Sequence, residues 1–215
     1  MKKTRPVLLL LGLVVCFIPA WGGQYEYAAP SPGTYNLPVV KTAGDGALID
    51  SAGKAVSLSA LTGGRVTILS FIYTRCGDAR ACPYASSVLN ALHVASAKDP
   101  ELTRELRLVS LSFDPDYDDP VHLADYANAV RDDAKGCAWL FVVPRSAAEM
   151  SPILASYNQA VDRKSSSDGT GPYFHTLRVF LIDPHHRIRN IYSTGTLDPR
   201  LILADIRTLL LEEHR

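Results

Sequence analysis

The sequence lacks an excess of charge of either sign, and it lacks an apolar run long enough to cross a bilayer. Its 22 Lys and Arg residues balance 22 Asp and Glu residues, whereas a protein that binds nucleic acid through its phosphates needs a basic surplus. The apolar run over residues 7–18 has twelve residues, well short of the roughly twenty that span a bilayer. Nucleic acid is therefore not an expected partner, and a permanent membrane span is not the favoured interpretation of the N-terminus.

The N-terminal segment has the order of features typical of a secretory signal. Lys2, Lys3 and Arg5 precede the apolar run, which a proline and an Ala-Trp-Gly sequence close. We expect residues 1–22 to be a signal peptide, which makes the mature chain periplasmic or otherwise exported. Left uncleaved, the same segment would tether the chain to the inner membrane. Cys16 is expected to be an ordinary member of the apolar run.

Removal of this segment leaves 193 residues, enough for one domain with a proper core. The segment holds three basic and no acidic residues, so the remainder has 19 basic against 22 acidic residues and a net charge of −3. Residues 23–40 are rich in Gly, Pro and small side chains, which predicts an N-terminal arm or linker. Residues 41–215 are expected to form the domain.

Cysteine is scarce: the chain has four, and Cys76, Cys82 and Cys137 follow the signal. An odd number in an exported protein leaves at least one cysteine outside any intrachain disulfide, as a reactive thiol, a metal ligand or a buried bystander. Because no cytosolic reductant protects an exported protein, a functional thiol pair there needs a thiol reductant as a partner.

Hydrophobic patterning predicts strands that alternate with helices. Strands are predicted at 65–73, 106–113, 139–143, 177–182 and 188–193, and helices are predicted from Cys82, Pro120, Ser146 and Asp198. Such alternation indicates an α/β fold with a central, mostly parallel sheet flanked by helices, in which ligands collect at the carboxyl ends of the strands. The polar, Gly- and Ser-rich residues 158–173 are expected to form a mobile loop.

Two cysteines lie at one such strand end. Cys76 follows the strand at 65–73, and Cys82 begins the next helix, so the loop between them folds over a helix N-terminus. The positive end of the helix favours the thiolate, which is both the nucleophile and the metal-binding form. Two soft thiolates select Cu(I) or Zn over Mg or Ca. Spacing alone leaves a disulfide or redox pair and a metal site about equally favoured.

Three stretches of the sequence resemble the Sco/SenC family of thioredoxin-fold copper chaperones. They are residues 70–76 followed by Cys82-Pro83, residues 112–120 with their two Asp-Pro pairs, and residues 174–176. The resemblance extends over most of residues 35–210 in the same order. The chain departs from the usual family pattern in having five residues, 77–81, between its cysteines, where most members have three. The longer loop costs more conformational entropy to order.

The resemblance implies a thioredoxin-like fold and a copper ion, Cu(I) or Cu(II), held by Cys76, Cys82 and His175. It also implies a metallochaperone that delivers copper to the copper-bearing subunit of apo-cytochrome c oxidase, with periplasmic copper carriers or thiol reductants as further partners. Movement of the 158–173 loop would let His175 leave the site during transfer. Two alternatives use Cys76 and Cys82 as a redox pair without metal: a thiol:disulfide oxidoreductase that keeps the oxidase cysteines reduced, and a redox sensor.

Other chemically suggestive residues have simpler interpretations. Turn formation and helix capping explain the acidic cluster, and a tight turn explains a His-His pair. Cys137 is expected to act as a small hydrophobe. Two helical histidines have no predicted role. The acidic cluster comprises Asp114, Asp116, Asp118 and Asp119. The His-His pair is His185 and His186, and the helical histidines are His93 and His122.

Overall fold

The computed structural model describes residues 27–166 and 168–214, so the predicted signal at 1–22 lies outside the described residues. The strands of the described chain are β1 (Lys41–Thr42), β2 (Ala47–Asp50), β3 (Ala55–Ser57), β4 (Val66–Ile72), β5 (Leu106–Ser112), β6 (Ala138–Val143), β7 (Val161–Arg163), β8 (Tyr173–His175), β9 (Val179–Ile182) and β10 (Arg187–Tyr192). The helices are α1 (Leu58–Thr62), α2 (Cys82–Ser96), α3 (Pro100–Glu105), α4 (Pro120–Val130), α5 (Ala147–Ser156) and α6 (Pro199–Glu213).

The centre of the sheet consists of β4, β5 and β6, which run parallel. Every residue of β4 is buried, as expected for a strand covered by helices on both faces. Helix α2 leads from β4 towards β5, and α4 leads from β5 to β6, so both parallel pairs are joined by helical crossovers. This arrangement puts the chain that follows β4 and the chain that follows β5 at the same edge of the sheet.

The remaining pairs of the eight-stranded sheet are antiparallel, so the expectation of a mostly parallel sheet is wrong. The order is β1-β10-β9-β4-β5-β6-β2-β3, and within it only β4–β5 and β5–β6 are parallel. For two of these antiparallel pairs, β9–β10 and β2–β3, the physical reason is connectivity. Strands β9 and β10 are joined by a tight turn, and β2 and β3 form a second short hairpin; neither has the long crossover that a parallel neighbour requires.

Helices cover both faces of this mixed α/β sheet. One apolar cluster joins the sheet to α2, α4 and α6, with Leu89, Leu123 and Ile206 fully buried. The other joins it to α1 and α5, with Leu58 and Ile153 fully buried. Burial of each such side chain contributes about 1.5–3 kcal/mol. Within the described residues, no helix combines the length and the apolar character needed to cross a membrane.

The segment expected to be a structureless loop, residues 158–173, instead contains most of a β-hairpin. Strand β7 pairs antiparallel with β8, with Val161 opposite His175 and Arg163 opposite Tyr173. Alternation along β8 directs Tyr173 and His175 to one face and Phe174 to the other, where Phe174 is 62% exposed. The hairpin therefore fixes the direction in which the His175 side chain points.

The described part of the N-terminal arm contains a turn near residues 31–34 and lies against the domain. Leu37 is buried, and its carbonyl oxygen accepts a hydrogen bond of 2.8 Å from the side chain of Arg189. The Gly33 N–H donates to the hydroxyl of Thr208 on α6 at 3.0 Å. These contacts join residues 33–37 to β10 and α6, away from the carboxyl ends of β4 and β5.

Candidate metal centre

The two cysteines lie where the central sheet meets the N-terminus of α2. Cys76 follows the end of β4 by four residues, and Cys82 is the first residue of α2, with Pro83 next to it in the first turn. Cys76 is partly exposed, whereas Cys82 is fully buried, and both are free thiols. Proline suits this position, because the first N–H groups of a helix have no intrahelical acceptor.

Strand β8 brings His175 to both sulfur atoms. Its Nε2 lies 3.5 Å from Sγ of Cys82 and 3.9 Å from Sγ of Cys76. The three atoms all lie within 4.8 Å of one another, and across residues 27–166 and 168–214 no other group of three His, Cys, Asp or Glu side chains has a comparable arrangement. The structure thus brings together the three side chains that the family resemblance implied as ligands, although 93 positions separate Cys82 from His175.

Aromatic rings hold the imidazole of His175 in this orientation. The ring of Tyr73 packs edge-on against it at a centroid distance of 5.7 Å, and the ring of Phe113 lies 5.2 Å away. The other nitrogen, Nδ1, is buried and has no hydrogen-bond partner among the described residues. Most metal-binding histidines donate this second N–H to an acceptor. Ring packing and the contacts of Nε2 with the two thiols therefore orient His175, while Nδ1 takes no part.

The two thiols differ strongly in acidity. A hydrogen bond from the Cys82 thiol lowers the pKa of Cys76 to about 4, against the effect of burial, and His175 and the backbone N–H groups of Cys82 and Asp78 add to the lowering. The same hydrogen bond and burial raise the pKa of Cys82 well above its ordinary value. The reduced pair therefore holds one proton, on Cys82, and presents a thiolate at Cys76.

We expect alkylation of the reduced, copper-free protein by iodoacetamide to change by less than about threefold between pH 8 and pH 6. An ordinary thiol slows about tenfold per pH unit below its pKa, whereas a pKa near 4 keeps Cys76 ionised throughout this range and lets the rate fall only as the pH approaches that value. The rate is followed by mass spectrometry of the Cys76 peptide. Cys82→Ala removes the donor and should restore a steep pH profile; a steep profile in the unaltered protein would contradict the assignment.

Two aspartates after β5 support the segment that carries Cys76. Asp118 is buried and accepts hydrogen bonds from the Thr74 N–H at 3.0 Å and from the hydroxyl groups of Thr74 and Ser112. The buried carboxylate of Asp114 accepts from Arg75 at 2.6 Å and from the hydroxyl of Tyr173 at 3.0 Å. Asp114 therefore links the residue before Cys76 to the strand that carries His175.

Sequence reasoning missed this supporting role, because turn formation and capping already accounted for the acidic cluster. Asp119 does cap α4, accepting from the His122 N–H at 2.9 Å, and Asp116 is exposed. The position of the cluster in the sequence could have indicated this supporting role, because the cluster follows β5, whose carboxyl end lies beside that of β4.

The other suggestive side chains lie outside the cluster. His186 contacts the hydroxyl of Thr62 at 2.6 Å, and His185 contacts Glu213 at 3.2 Å. The two ring nitrogens of His93 lie near backbone carbonyl oxygens, and Cys137 is buried at the opposite, amino-terminal end of β6. None of them belongs to a metal-sized group in the described part of the chain.

Two thiols and one imidazole suit a soft or borderline metal. Sulfur ligands select Cu(I) or Zn over Mg and Ca, and imidazole also binds Cu(II). A cavity of about 240 Å³ borders the cluster, and Cys76, Asp78, Lys164 and His175 are among its lining residues. The cluster therefore lies beside a cavity, and Cys76 is the partly exposed member of the thiol pair.

The chain is similar to a known family and to solved structures. The SCO1/SenC family model matches residues 38–211. ScoI of Arabidopsis thaliana with copper bound has 21% identity and a TM-score of 0.66, covering 80% of this chain and 99% of that one. ScoI of Bradyrhizobium japonicum with copper bound has 24% identity and a TM-score of 0.63, covering 78% and 99%.

A third structure, of BsSco, is described as that of a member of the Sco family of cytochrome c oxidase assembly proteins with a disulfide switch. It has 21% identity and a TM-score of 0.64, covering 81% of this chain and 98% of that one. At these identities the structural likeness establishes a shared fold. No curated protein matches the chain significantly.

Proposed function

Because this chain belongs to the SCO1/SenC family, we propose that it is a copper metallochaperone with a thioredoxin-like fold. Cys76, Cys82 and His175 would hold one copper ion as cargo. The observation that carries the proposal is the convergence of two sulfur atoms and one imidazole nitrogen within 4.8 Å of one another. Copper-bound structures of two similar proteins give independent support for the choice of metal.

The ligand set suits copper in both oxidation states. The Cys76 and Cys82 thiolates hold Cu(I), and the imidazole of His175 adds a ligand that Cu(II) also favours. The low pKa of Cys76 makes one thiolate available before the metal arrives. Binding then requires the proton of Cys82 to leave and Nε2 of His175 to give up its proton, and the positive charge of the ion favours both.

Delivery would proceed by ligand exchange, with His175 as the first ligand to leave. When Nε2 binds copper, the ring must carry its proton on Nδ1, which is buried without an acceptor in the described residues. An unsatisfied buried donor costs about 1–3 kcal/mol, so this imidazole binds more weakly than one with a hydrogen-bonded second nitrogen. The recipient would be the copper-bearing subunit of a cytochrome c oxidase, outside the cytoplasm and near the inner membrane.

Copper transfer to that recipient tests the proposal. We expect the copper-loaded, reduced protein to lose its metal to the copper-free soluble domain of an oxidase copper subunit. The measurement is metal content of the two proteins after chromatographic separation. Oxidised recipient, whose cysteines form a disulfide, serves as the control and should take up no copper. Retention of all copper in the presence of reduced recipient would contradict delivery.

A second candidate function uses the thiol pair alone. The thiolate of Cys76 could attack a disulfide of the oxidase subunit, forming a mixed disulfide and releasing one substrate thiolate. Cys82, whose sulfur lies within 4.8 Å of that of Cys76, would then lose its proton and attack Cys76 Sγ, which breaks the mixed disulfide and releases the second substrate thiolate. The substrate disulfide gains two electrons from the pair, one proton from Cys82 and one proton from solvent, and the disulfide formed between Cys76 and Cys82 must then be reduced by a periplasmic thiol reductant. This activity does not require His175, so a variant without the imidazole separates the two functions.

A further inference from the structure

The loop that joins β7 to β8 packs on the loop between the two cysteines. Of this hairpin loop the structure describes residues 164–166 and 168–172. The Thr170 carbonyl oxygen accepts hydrogen bonds from the Gly77 N–H and from the Tyr73 hydroxyl, each at 3.1 Å. A Cβ atom on Gly77 would lie 2.8 Å from the carbonyl oxygen of Gly169, so glycine is what permits the close approach. Cys76 is the immediate neighbour of this contact.

The nearly buried side chain of Lys164 forms hydrogen bonds with other residues of the hairpin loop. Its side chain is only 5% exposed, and its ammonium group donates to both carboxylate oxygens of Asp168, at 2.8 and 2.9 Å, and to the hydroxyl of Thr170. Asp168 in turn accepts from the Thr170 N–H at 2.9 Å and from its hydroxyl at 2.7 Å. Three side chains thus fix the position of the Thr170 carbonyl oxygen that receives the Gly77 N–H.

This arrangement bears on the length of the inter-cysteine loop. Five residues separate Cys76 from Cys82, and each residue of such a loop costs roughly 1–2 kcal/mol of backbone conformational entropy to order. Within the loop, the Ala81 N–H donates to the Asp78 carbonyl oxygen at 3.0 Å. At its Cys76 end, the hydrogen bond from Gly77 to Thr170 reaches outside the loop to a partner that Lys164 holds in place.

We propose that Lys164 and Asp168 are positioning residues for Cys76. They hold the hairpin loop against the inter-cysteine loop, so that the longer loop presents its thiolate in one place and releases the metal more slowly. This inference rests on the proposed function for its copper consequence, but the contact itself involves no ligand atom and can be measured without copper. The ammonium lies 4.9 Å from the Phe174 ring, so an apolar replacement at position 164 retains a packing partner.

The two members of the pair should respond unequally to substitution. Lys164→Met leaves Asp168 with a side chain that is half exposed and therefore still hydrated. Asp168→Asn leaves the nearly buried ammonium of Lys164 with an uncharged and therefore weaker partner. This change should destabilise the hairpin loop more than Lys164→Met does. The double variant removes both charges and should therefore resemble Lys164→Met more than the sum of the two single variants, as expected for residues that act as a unit.

The test compares amide exchange and copper release in the full chain. In the reduced, copper-free protein, Lys164→Met should speed hydrogen exchange at the Gly77 N–H roughly threefold to tenfold, with a similar increase in the rate of copper release to a chelator. Asp162→Asn, an exposed change on β7 of the same hairpin, is the matched control and should alter neither rate. Gly77→Ala should speed copper release without touching any charge, because its Cβ meets the backbone of Gly169.

Unchanged exchange at Gly77 in Lys164→Met would overturn the proposal, as would equal effects from Asp162→Asn. A change in exchange with no change in copper release would limit the pair to ordering the apo loop and overturn its role in metal retention. If the unaltered chain held no copper, the proposed function would fail, while the exchange measurement would still decide whether Lys164 and Asp168 position the inter-cysteine loop.

Discussion

Cys82→Ser is expected to weaken Cu(I) binding by more than about 100-fold, since substitutions outside the ligand shell alone cost 10- to 100-fold. Serine supplies a hard, protonated hydroxyl in place of a soft thiolate, so copper loses one of its two sulfur ligands. Cys82 is fully buried, and serine is slightly smaller, so the fold should persist. Competition against a Cu(I) chelator of known affinity gives the loss directly, and circular dichroism checks the fold.

Cys137→Ser provides a matched control for this substitution. Cys137 is also a free, buried cysteine. It precedes β6 and therefore lies at the amino-terminal ends of the parallel strands, opposite to the thiol pair. Copper affinity should stay within about twofold of the unaltered protein, the scatter typical of sites with no shared partners. A similar loss in both variants would mean that serine acts through stability, and undiminished binding by Cys82→Ser would remove Cys82 from the ligand set.

His175→Phe is expected to reduce Cu(II) affinity roughly 10- to 100-fold and to reduce Cu(I) affinity much less. Two thiolates satisfy Cu(I), whereas Cu(II) relies on the imidazole to complete its preferred set of ligands. Phenylalanine keeps an aromatic ring beside Tyr73 and Phe113, so packing is retained while both nitrogens are lost. Thiol:disulfide reductase activity, if the chain has it, should survive this substitution.

The readout for His175 is the visible sulfur-to-Cu(II) charge-transfer spectrum together with electron paramagnetic resonance. We expect the nitrogen hyperfine coupling of the bound imidazole to disappear in His175→Phe. His185→Ala, a change in the turn between β9 and β10, should leave the spectrum as it is. Persistence of the nitrogen coupling in His175→Phe, or its loss in His185→Ala, would show that another histidine binds the metal.

The parts of the fold that the sequence predicts well are those with strong local signals. The unbroken apolar run at 65–73 corresponds to β4, whose residues are all buried. Proline after an aspartate marks the starts of α4 and α6, where Asp119 and Asp198 accept hydrogen bonds from the first turn. These signals depend on a few neighbouring residues, so no knowledge of distant contacts is needed to interpret them.

Elements whose stability comes from distant contacts escaped prediction. Strands β7 (Val161–Arg163) and β8 (Tyr173–His175) have three residues each, too few to show a clear alternating pattern, and they exist because the hairpin folds back on the domain. The antiparallel direction of β9 beside β4 is likewise determined by tertiary contacts, which no local sequence pattern indicates. For this reason the sheet was predicted to be mostly parallel, and the hairpin was predicted to be a loop.

The candidate site divides in the same way. The spacing of Cys76 and Cys82 at a strand end and a helix start was legible from the sequence, but His175 could be connected to them only through the family resemblance. Asp114 and Asp118 were interpreted as turn residues, because a local sequence pattern does not show that their carboxylates are buried. The role of Lys164 could not be predicted for a further reason: its contacts depend on the β7–β8 hairpin, which was not predicted.

Copper K-edge X-ray absorption of the loaded protein tests the central claim most directly. The account predicts one copper ion per chain, with two sulfur ligands and one imidazole nitrogen in its first coordination shell. Loading the Cys76→Ser/Cys82→Ser double variant under the same conditions should leave no sulfur-bound copper. A first shell of nitrogen and oxygen alone in the unaltered protein would contradict the assignment of Cys76, Cys82 and His175 as the ligands.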